Sequence, residues 1–294
     1  MSDALFPDEP TQTPRVVSTS PSGTEICYAL GIEPVAVSHA CDFPKRVASV
    51  PVIDRSRVTG ESSADRHDSV VAARRDGGVY ELDEQLLEAC APDLILSQSV
   101  CGVCAVDETV VRDTLGESAA TVLGLSASTL SDVFECVAQV GRETGTEARA
   151  IEVVGQCQRR LAEIAASAPD NRPRVVVIEW MEPLHVAANW VPEIVTAAGG
   201  EYGLAAPGDR SVTVDWAEIR EYDPDVLIVA PCSFEPAETR SRLGELTNRP
   251  GWESLSAVQK DRVHVMDGTV LNRWTPRLVS LTEELQARLH PPSN

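Results

Sequence analysis

The segment RVVSTSPSGTEICYALGIEPVAVSHACDFP, residues 15–44, determines the fold class. Its Val-Val pair predicts a short buried strand. The polar turn that follows predicts a helix start, with Ser22 or Thr24 available as the cap. Gly31 supplies the left-handed position that ends a helix, and the next apolar run predicts a second strand. The segment is therefore a β-α-β unit, and ligands of open α/β sheets bind outside the carboxyl ends of the strands.

The same order of elements recurs in the second half of the chain. Each half contains a helix, a Pro-Asp pair, a buried strand and a cysteine-bearing loop, and the two pairs are Pro92-Asp93 and Pro224-Asp225. Between the halves, apolar residues recur at helical spacing over residues 129–168, which predicts one long helix or two helices nearly in line.

These patterns predict an α/β protein of two lobes, each a short, mostly parallel sheet with helices, joined by a long helical spacer and separated by a ligand cleft. The predicted division is a disordered tail over 1–13, an N-terminal lobe over 14–127, a connecting helix over 128–170 and a C-terminal lobe over 171–294.

The charge of the chain excludes two classes of partner. The formal net charge is −20, with 45 acidic and 25 basic residues. Such a surface repels nucleic acid and anionic membranes. Lysine occurs only at Lys45 and Lys260 while acidic residues are spread throughout, a composition that indicates adaptation to high salt.

The first fifteen residues lack the basic and apolar regions of a secretory signal. No apolar run is long enough to span a bilayer, so we expect a cytoplasmic protein without membrane insertion. Eight cysteines in such a chain argue against a disulfide framework.

Metal-binding types of side chain concentrate in the loops predicted to leave the strands. Sulfur and imidazole suit zinc, copper(I) or a cobalt centre. The spacing of Cys101 and Cys104 is compatible with a metal pair, a redox pair or two small packing residues. The residues concerned are His39, Cys41, Asp42, Cys101, Cys104, His185 and Cys232.

Aromatic residues fall in or beside the same loops. A flat macrocycle needs a broad apolar floor, which such rings provide, although they also suit packing at the lobe edges. Arg273 and Arg277 suit either an anionic ligand group or pairing with carboxylates. The aromatic residues are Phe43, Trp180, Trp190, Phe234 and Trp274.

The sequence contains no recognisable catalytic motif. It has no Gly-x-Ser-x-Gly elbow, no phosphate-binding glycine-rich loop and no His-Glu-x-x-His. We therefore predict a binding protein and not an enzyme.

Five segments together resemble the cobalamin-binding members of the helical-backbone solute-binding proteins, a fold that serves ABC transporters for cobalamin, haem and iron-siderophores. The CGVCAV element and the absent leader resemble a cytoplasmic-looking branch of that superfamily. That branch tends to carry a histidine where this chain has Asn189, and permease-docking glutamates would fall near Glu84 and Glu218. The segments are RVVSTSPSGTE (15–25), ALGIEPVAVSHACDFP (29–44), PDLILSQSVCGVCAV (92–106), WVPEIVTAAGG (190–200) and NRWTPRLV (272–279).

The resemblance implies non-enzymatic binding of a corrinoid, either cobalamin or a precursor, for uptake, delivery or sensing. Two alternatives stay open. One is a binder of a metal ion or a haem- or siderophore-type chelate that uses Cys101 and Cys104. The other is a thiol-redox or corrinoid-processing enzyme that uses the same pair. The expected partners are a macrocyclic ligand and an ABC permease, with the chain itself a monomer.

The residues predicted to contact the ligand combine hydroxyl, amide, charged and aromatic groups, and Cys101 and Cys104 are also the predicted metal ligands. They are Ser20, Ser22, Thr24, Cys41, Asp42, Phe43, Gln98, Cys101, Trp180, His185, Trp190, Phe234, Arg273 and Trp274.

Overall fold

The computed structural model describes residues 14–76, 78–98, 108–115 and 120–292. The strands are β1 (Val16–Ser18), β2 (Ala36–Val37), β3 (Asp54–Ser56), β4 (Tyr80–Leu82), β5 (Leu94–Gln98), β6 (Thr121–Leu125), β7 (Arg174–Met181), β8 (Leu184–Val186), β9 (Glu201–Tyr202), β10 (Val212–Thr213), β11 (Val226–Val229) and β12 (Val263–Val265). The helices are α1 (Pro21–Ala29), α2 (Ser63–Arg75), α3 (Glu84–Cys90), α4 (Glu108–Leu115), α5 (Leu130–Thr144), α6 (Glu147–Ser167), α7 (Val191–Ala197), α8 (Trp216–Tyr222), α9 (Pro236–Arg242), α10 (Gly244–Thr247), α11 (Ser256–Gln259), α12 (Gly268–Leu271) and α13 (Leu278–Leu289).

The first lobe contains a parallel sheet in the order β2-β1-β5-β6. Val17 lies between Ala36 and Ile95 in this sheet. All three residues are fully buried, as expected for strands covered on both faces. A separate antiparallel pair, β3 and β4, flanks helix α2 in the chain.

The second lobe contains a sheet in the order β10-β8-β7-β11-β12, with β9 also paired to β7. β7, β11 and β12 are parallel, whereas β8 returns antiparallel to β7. The prediction that His185 lies in a loop leaving a strand is therefore wrong. Strand β7 continues beyond its β-branched run to Met181, and a tight turn at Glu182-Pro183 brings the chain back, so that His185 lies within β8.

The connection between the lobes consists of two helices that are not in line. Gly145, at a φ of 70°, ends α5, and α6 begins two residues later. An ideal Cβ on Gly141 would lie 2.6 Å from the Cβ of Ala150. In one straight helix, residues 141 and 150 would be separated by a rise of about 13 Å. Because these two residues are in contact, α5 and α6 must lie side by side at the turn. The prediction of a nearly continuous pair is therefore wrong.

Helix α6 links the two lobes. Near its start, Arg149 Nε donates to the carbonyl of Ala29 in α1, at 3.1 Å. Near its end, the carbonyl of Ile164 accepts from Gln286 Nε2 of α13, at 2.8 Å. One hydrophobic core runs from the first lobe through α6 into the second. None of the helices in the described parts of the chain is long and apolar enough to cross a bilayer.

The start of α1 differs from the prediction. Ser20, and neither Ser22 nor Thr24, caps α1, because Pro21 occupies the first turn, where its missing N–H costs nothing. Residues 235–247 form two helices, α9 and α10, which are divided at Leu243.

We expect Gly141→Ala to lower the free energy of unfolding by about 1–3 kcal/mol, because the new methyl group would overlap Ala150 and push α5 away from α6. Gly155→Ala is the matched control. Its new Cβ meets only the end of the flexible Arg159 side chain, so improved helix propensity should raise stability by up to about 1 kcal/mol. Urea denaturation of both variants tests the side-by-side packing, which equal effects would contradict.

Candidate functional site

A buried glutamate on α1 lies at the contact between the lobes. The Glu25 side chain is 1 % exposed, and its Oε1 accepts from Arg273 Nη1 at 3.0 Å and from Arg277 Nη1 at 3.1 Å. Both arginines lie in the segment between α12 and α13, in the other lobe. These contacts join the first β-α-β unit to the last helix of the chain.

Arg273 also holds the loop that leaves β2. Its guanidinium donates to both carboxylate oxygens of Asp42, at 2.6 and 3.0 Å, and to the carbonyl of Ala40 at 3.1 Å. Such a bidentate pair fixes orientation as well as distance. We call Glu25, Asp42, Arg273 and Arg277 the interlobe ion cluster.

Burial and charge oppose each other in this cluster. Burial raises the pKa of Glu25 above its ordinary value, and the two guanidiniums limit that rise. Burial opposes the charge of Arg273, but Asp42 and Glu25 hold the pKa of its guanidinium above the usual range. The second oxygen of Glu25, Oε2, is buried and has no hydrogen-bond partner among the described residues.

Other predicted ligand residues lie beside the interlobe ion cluster. Thr24 Oγ1 and Cys41 Sγ are 3.1 Å apart, and Arg277 lies 4.0 Å from the centre of the Phe43 ring. Burial raises the pKa of the Cys41 thiol to about 12. Ser20 caps α1 by accepting from the N–H of Gly23.

A second contact between the lobes surrounds Phe234, which is fully buried. The Trp180 ring meets the Phe234 ring edge-on at 5.4 Å. The guanidiniums of Arg66 and Arg242 lie 4.8 and 5.0 Å from the centre of the Phe234 ring. Arg66 belongs to α2 of the first lobe and the other three residues to the second. We call these four residues the α2 contact.

Polar bonds reinforce the α2 contact. Trp180 Nε1 donates to the carbonyls of Ser63, at 3.2 Å, and of Glu182, at 2.9 Å. Arg66 pairs with Glu238 at 2.8 Å. The start of α2 therefore lies against the carboxyl end of β7, where a ligand cleft was predicted.

The remaining predicted site residues lie elsewhere. In β8, His185 Nδ1 contacts the carbonyl of Pro183 and Nε2 contacts Thr213 Oγ1, so both ring nitrogens have partners. Trp190 and Trp274 are packed in the core, where Trp190 Nε1 donates to the carbonyl of Leu271.

Ser22 is buried within α1, and Gln98 ends β5 with little exposure. Cys101 and Cys104 lie outside the described residues. The rest of the chain, as far as it is described, has no group of three or more His, Cys, Asp or Glu able to hold a metal ion.

Neither the role of Glu25 nor the identity of the carboxylate that pairs with Arg277 was predicted from the sequence. A signal for both was present. Glu25 is the only charged residue in an otherwise uncharged helix, PSGTEICYA, and the segment NRWTPR brings two arginines to the start of the last helix.

A family model described as periplasmic binding protein matches residues 16–270. The chain belongs to the periplasmic binding protein family. Its α/β lobes and the helix between them are the architecture of that family's two-lobed structures with a helical backbone.

Three members of known sequence or structure are similar over almost the whole chain. An uncharacterized ABC transporter substrate-binding lipoprotein, YvrC of Bacillus subtilis (strain 168), is 22 % identical across 94 % of this chain and 80 % of its own. A vitamin B12-binding protein of Vibrio cholerae serotype O1 is 22 % identical across 94 % and 89 %. The crystal structure of a periplasmic heme binding protein from Pseudomonas aeruginosa has a TM-score of 0.73 and 21 % identity, covering 96 % of this chain and 95 % of that one.

Proposed function

We propose that this protein binds a corrinoid, either cobalamin or a precursor, between its lobes. The family relationship supports a small-molecule ligand, and relatives named for vitamin B12 and for haem support a macrocycle. The choice between these two macrocycles rests on charge.

The paired state of the interlobe arginines carries the proposal. Haem has two anionic propionates, which call for cationic partners, whereas the side chains around a corrin ring are mainly neutral amides. The four arginines described between the lobes are each already paired with carboxylates: Arg273 with Glu25 and Asp42, Arg277 with Glu25, and Arg66 and Arg242 with Glu238.

The charge of the whole chain also favours a corrinoid over haem. A net charge of −20 disfavours the approach of an anionic ligand and does not oppose a neutral or cationic one.

Absorbance titrations of the purified protein with aquocobalamin and with haem, in molar salt, test the proposal. We expect saturable binding of aquocobalamin and at least about tenfold weaker binding of haem, a difference of about 1.4 kcal/mol. Tighter binding of haem than of aquocobalamin would contradict the proposal.

Asp42→Asn tests whether the paired arginines disfavour haem, because it removes one of the two carboxylates that neutralise Arg273. Asp42 is 45 % exposed, so the variant should fold. Haem affinity should rise in this variant while cobalamin affinity stays within about twofold, a change of only a few tenths of a kcal/mol.

We further propose that the protein acts as a monomer that delivers its ligand to an ABC permease. Glu84, in the first turn of α3, and Glu218, in the first turn of α8, are exposed, one on each lobe, at the places where the resemblance puts docking glutamates. The cytoplasmic location and the adaptation to high salt stay predictions from the sequence.

A further inference from the structure

His39, in the loop that leaves β2, is held by a buried carboxylate. Its Nδ1 lies 2.6 Å from Asp54 Oδ1, and the same oxygen accepts from the backbone N–H of His39 at 2.7 Å and from Ser38 Oγ at 3.1 Å. The Asp54 side chain is fully buried, whereas 32 % of the His39 side chain is exposed.

This arrangement fixes the tautomer of the ring. Asp54 Oδ1 is the acceptor in this contact and Nδ1 the donor, so in the neutral imidazole the lone pair is on Nε2. Among the described residues, Nε2 has no hydrogen-bond partner, in contrast to both ring nitrogens of His185. A carboxylate on one imidazole nitrogen is the usual support for a histidine that binds a metal through the other.

The loop that carries His39 reaches the other lobe. Ala40 and Asp42, one and three residues further along, both accept hydrogen bonds from Arg273. His39 therefore lies on the first-lobe rim of the contact between the lobes. The centre of the Tyr80 ring lies 5.5 Å from the centre of the imidazole.

We infer that His39 Nε2 is an axial ligand to the cobalt of the bound corrinoid. The inference deepens the proposed function and rests on it. The step is a ligand exchange at cobalt(III): the bond from cobalt to water breaks, the Nε2 lone pair forms the new bond, and water leaves. No electron is transferred, and no proton has to move, because the imidazole proton stays on Nδ1 against Asp54.

Two corrinoids separate this inference from the function itself. Aquocobalamin has an exchangeable water on cobalt, whereas cyanocobalamin has a cyanide that stays bound. We expect both to bind saturably to the full chain, and only aquocobalamin to show a shift of its visible bands on binding.

His39→Asn is the informative variant, because its amide nitrogen takes the place of Nδ1 toward Asp54 while nothing replaces Nε2. We expect this variant to bind cyanocobalamin as the wild type does and to lose the aquocobalamin band shift. Added imidazole should restore the shift. His67→Asn, at a partly buried histidine on α2, is the control and should keep it.

Asp54→Asn tests the support of the ring. We expect it to weaken the preference for aquocobalamin over cyanocobalamin by roughly 10- to 100-fold, the usual range for such a partner of a metal-bound histidine. Circular dichroism of each variant checks that it is folded.

Three results would overturn the inference. Saturable binding of both corrinoids to the wild type without a band shift would remove it and leave the proposed function intact. A shift that persists in folded His39→Asn would assign the ligand to another residue. Failure of both corrinoids to bind would overturn the proposed function and the inference together.

Discussion

Arg273→Met is expected to lower the free energy of unfolding by about 3–5 kcal/mol, the cost of leaving a buried charge without its partner. Glu25 would keep only Arg277, and the loop at Asp42 would lose its connection to the second lobe. Methionine retains most of the apolar stem of arginine, so the loss of stability measures the contribution of the guanidinium group. Denaturation in guanidinium chloride measures this change in the free energy of unfolding.

The cost of this substitution should depend on pH. Burial already raises the native pKa of Glu25 above its ordinary value of 4.5, so the native state holds this proton to a higher pH than the unfolded state. Glu25 therefore lowers stability as pH rises from that ordinary value through the native pKa. Removal of Arg273 moves the native pKa still higher, so the difference between variant and wild type should be larger at pH 8 than at pH 5.

Arg288→Met is the matched control for Arg273→Met. Arg288 pairs with Glu284 one turn away on α13, and both side chains are nearly half exposed. Such pairs contribute about 0.3–0.5 kcal/mol. A cost of Arg273→Met no larger than that of Arg288→Met, or one that does not change with pH, would show that the interlobe ion cluster does not stabilise the fold.

Phe234→Ala is expected to lower the free energy of unfolding by about 3–5 kcal/mol, because it opens a cavity at a fully buried position. The substitution also removes the ring against which Trp180 and both guanidiniums of the α2 contact are packed. The helix α2 should then detach more readily from the second lobe. Urea denaturation gives the stability, and hydrogen exchange over residues 63–75 gives the local opening.

Phe234→Leu separates the two parts of this effect. Leucine fills much of the cavity but offers no aromatic face, so its cost should be about 1–2 kcal/mol, with faster exchange in α2. If Phe234→Ala cost less than 1 kcal/mol, the site would be able to collapse and the α2 contact would contribute little to holding the lobes together.

The sequence was sufficient for the elements whose pattern is local. The β-branched runs of β1, β7 and β11 predict buried strands wherever they occur, and the two-lobe α/β class followed from their repetition. Strand β8 was not predicted because its three residues are too few to show the alternation of apolar and polar side chains that indicates a strand. The angle between α5 and α6 was missed because it depends on the approach of Gly141 to Ala150 and not on helical spacing.

The residues of the candidate site also divide into those that the sequence predicted and those that depend on the finished fold. Asp42 and Arg273 were predicted from their places in loops, and the structure brings them together. The sequence marks Glu25 as the one charge in its helix but does not identify its partner, since Arg273 is 248 residues away in the chain. Trp190 and Trp274 were chosen for their nearness to loops, but burial depends on which neighbours the finished fold supplies, and these place both indoles in the core.

The position of α6 also affects how the chain can fold while it is being made. The sheet of the first lobe is complete once β6 has been synthesised at Leu125, but α1 still lacks the helices that cover it. Helix α5 packs on α1, and Arg149 of α6 takes up the carbonyl of Ala29. A nascent chain that ends before α5 and the start of α6 therefore exposes an apolar surface of α1 that the finished protein hides, and the later part of α6 stays uncovered until α7 and α13 of the second lobe have been made.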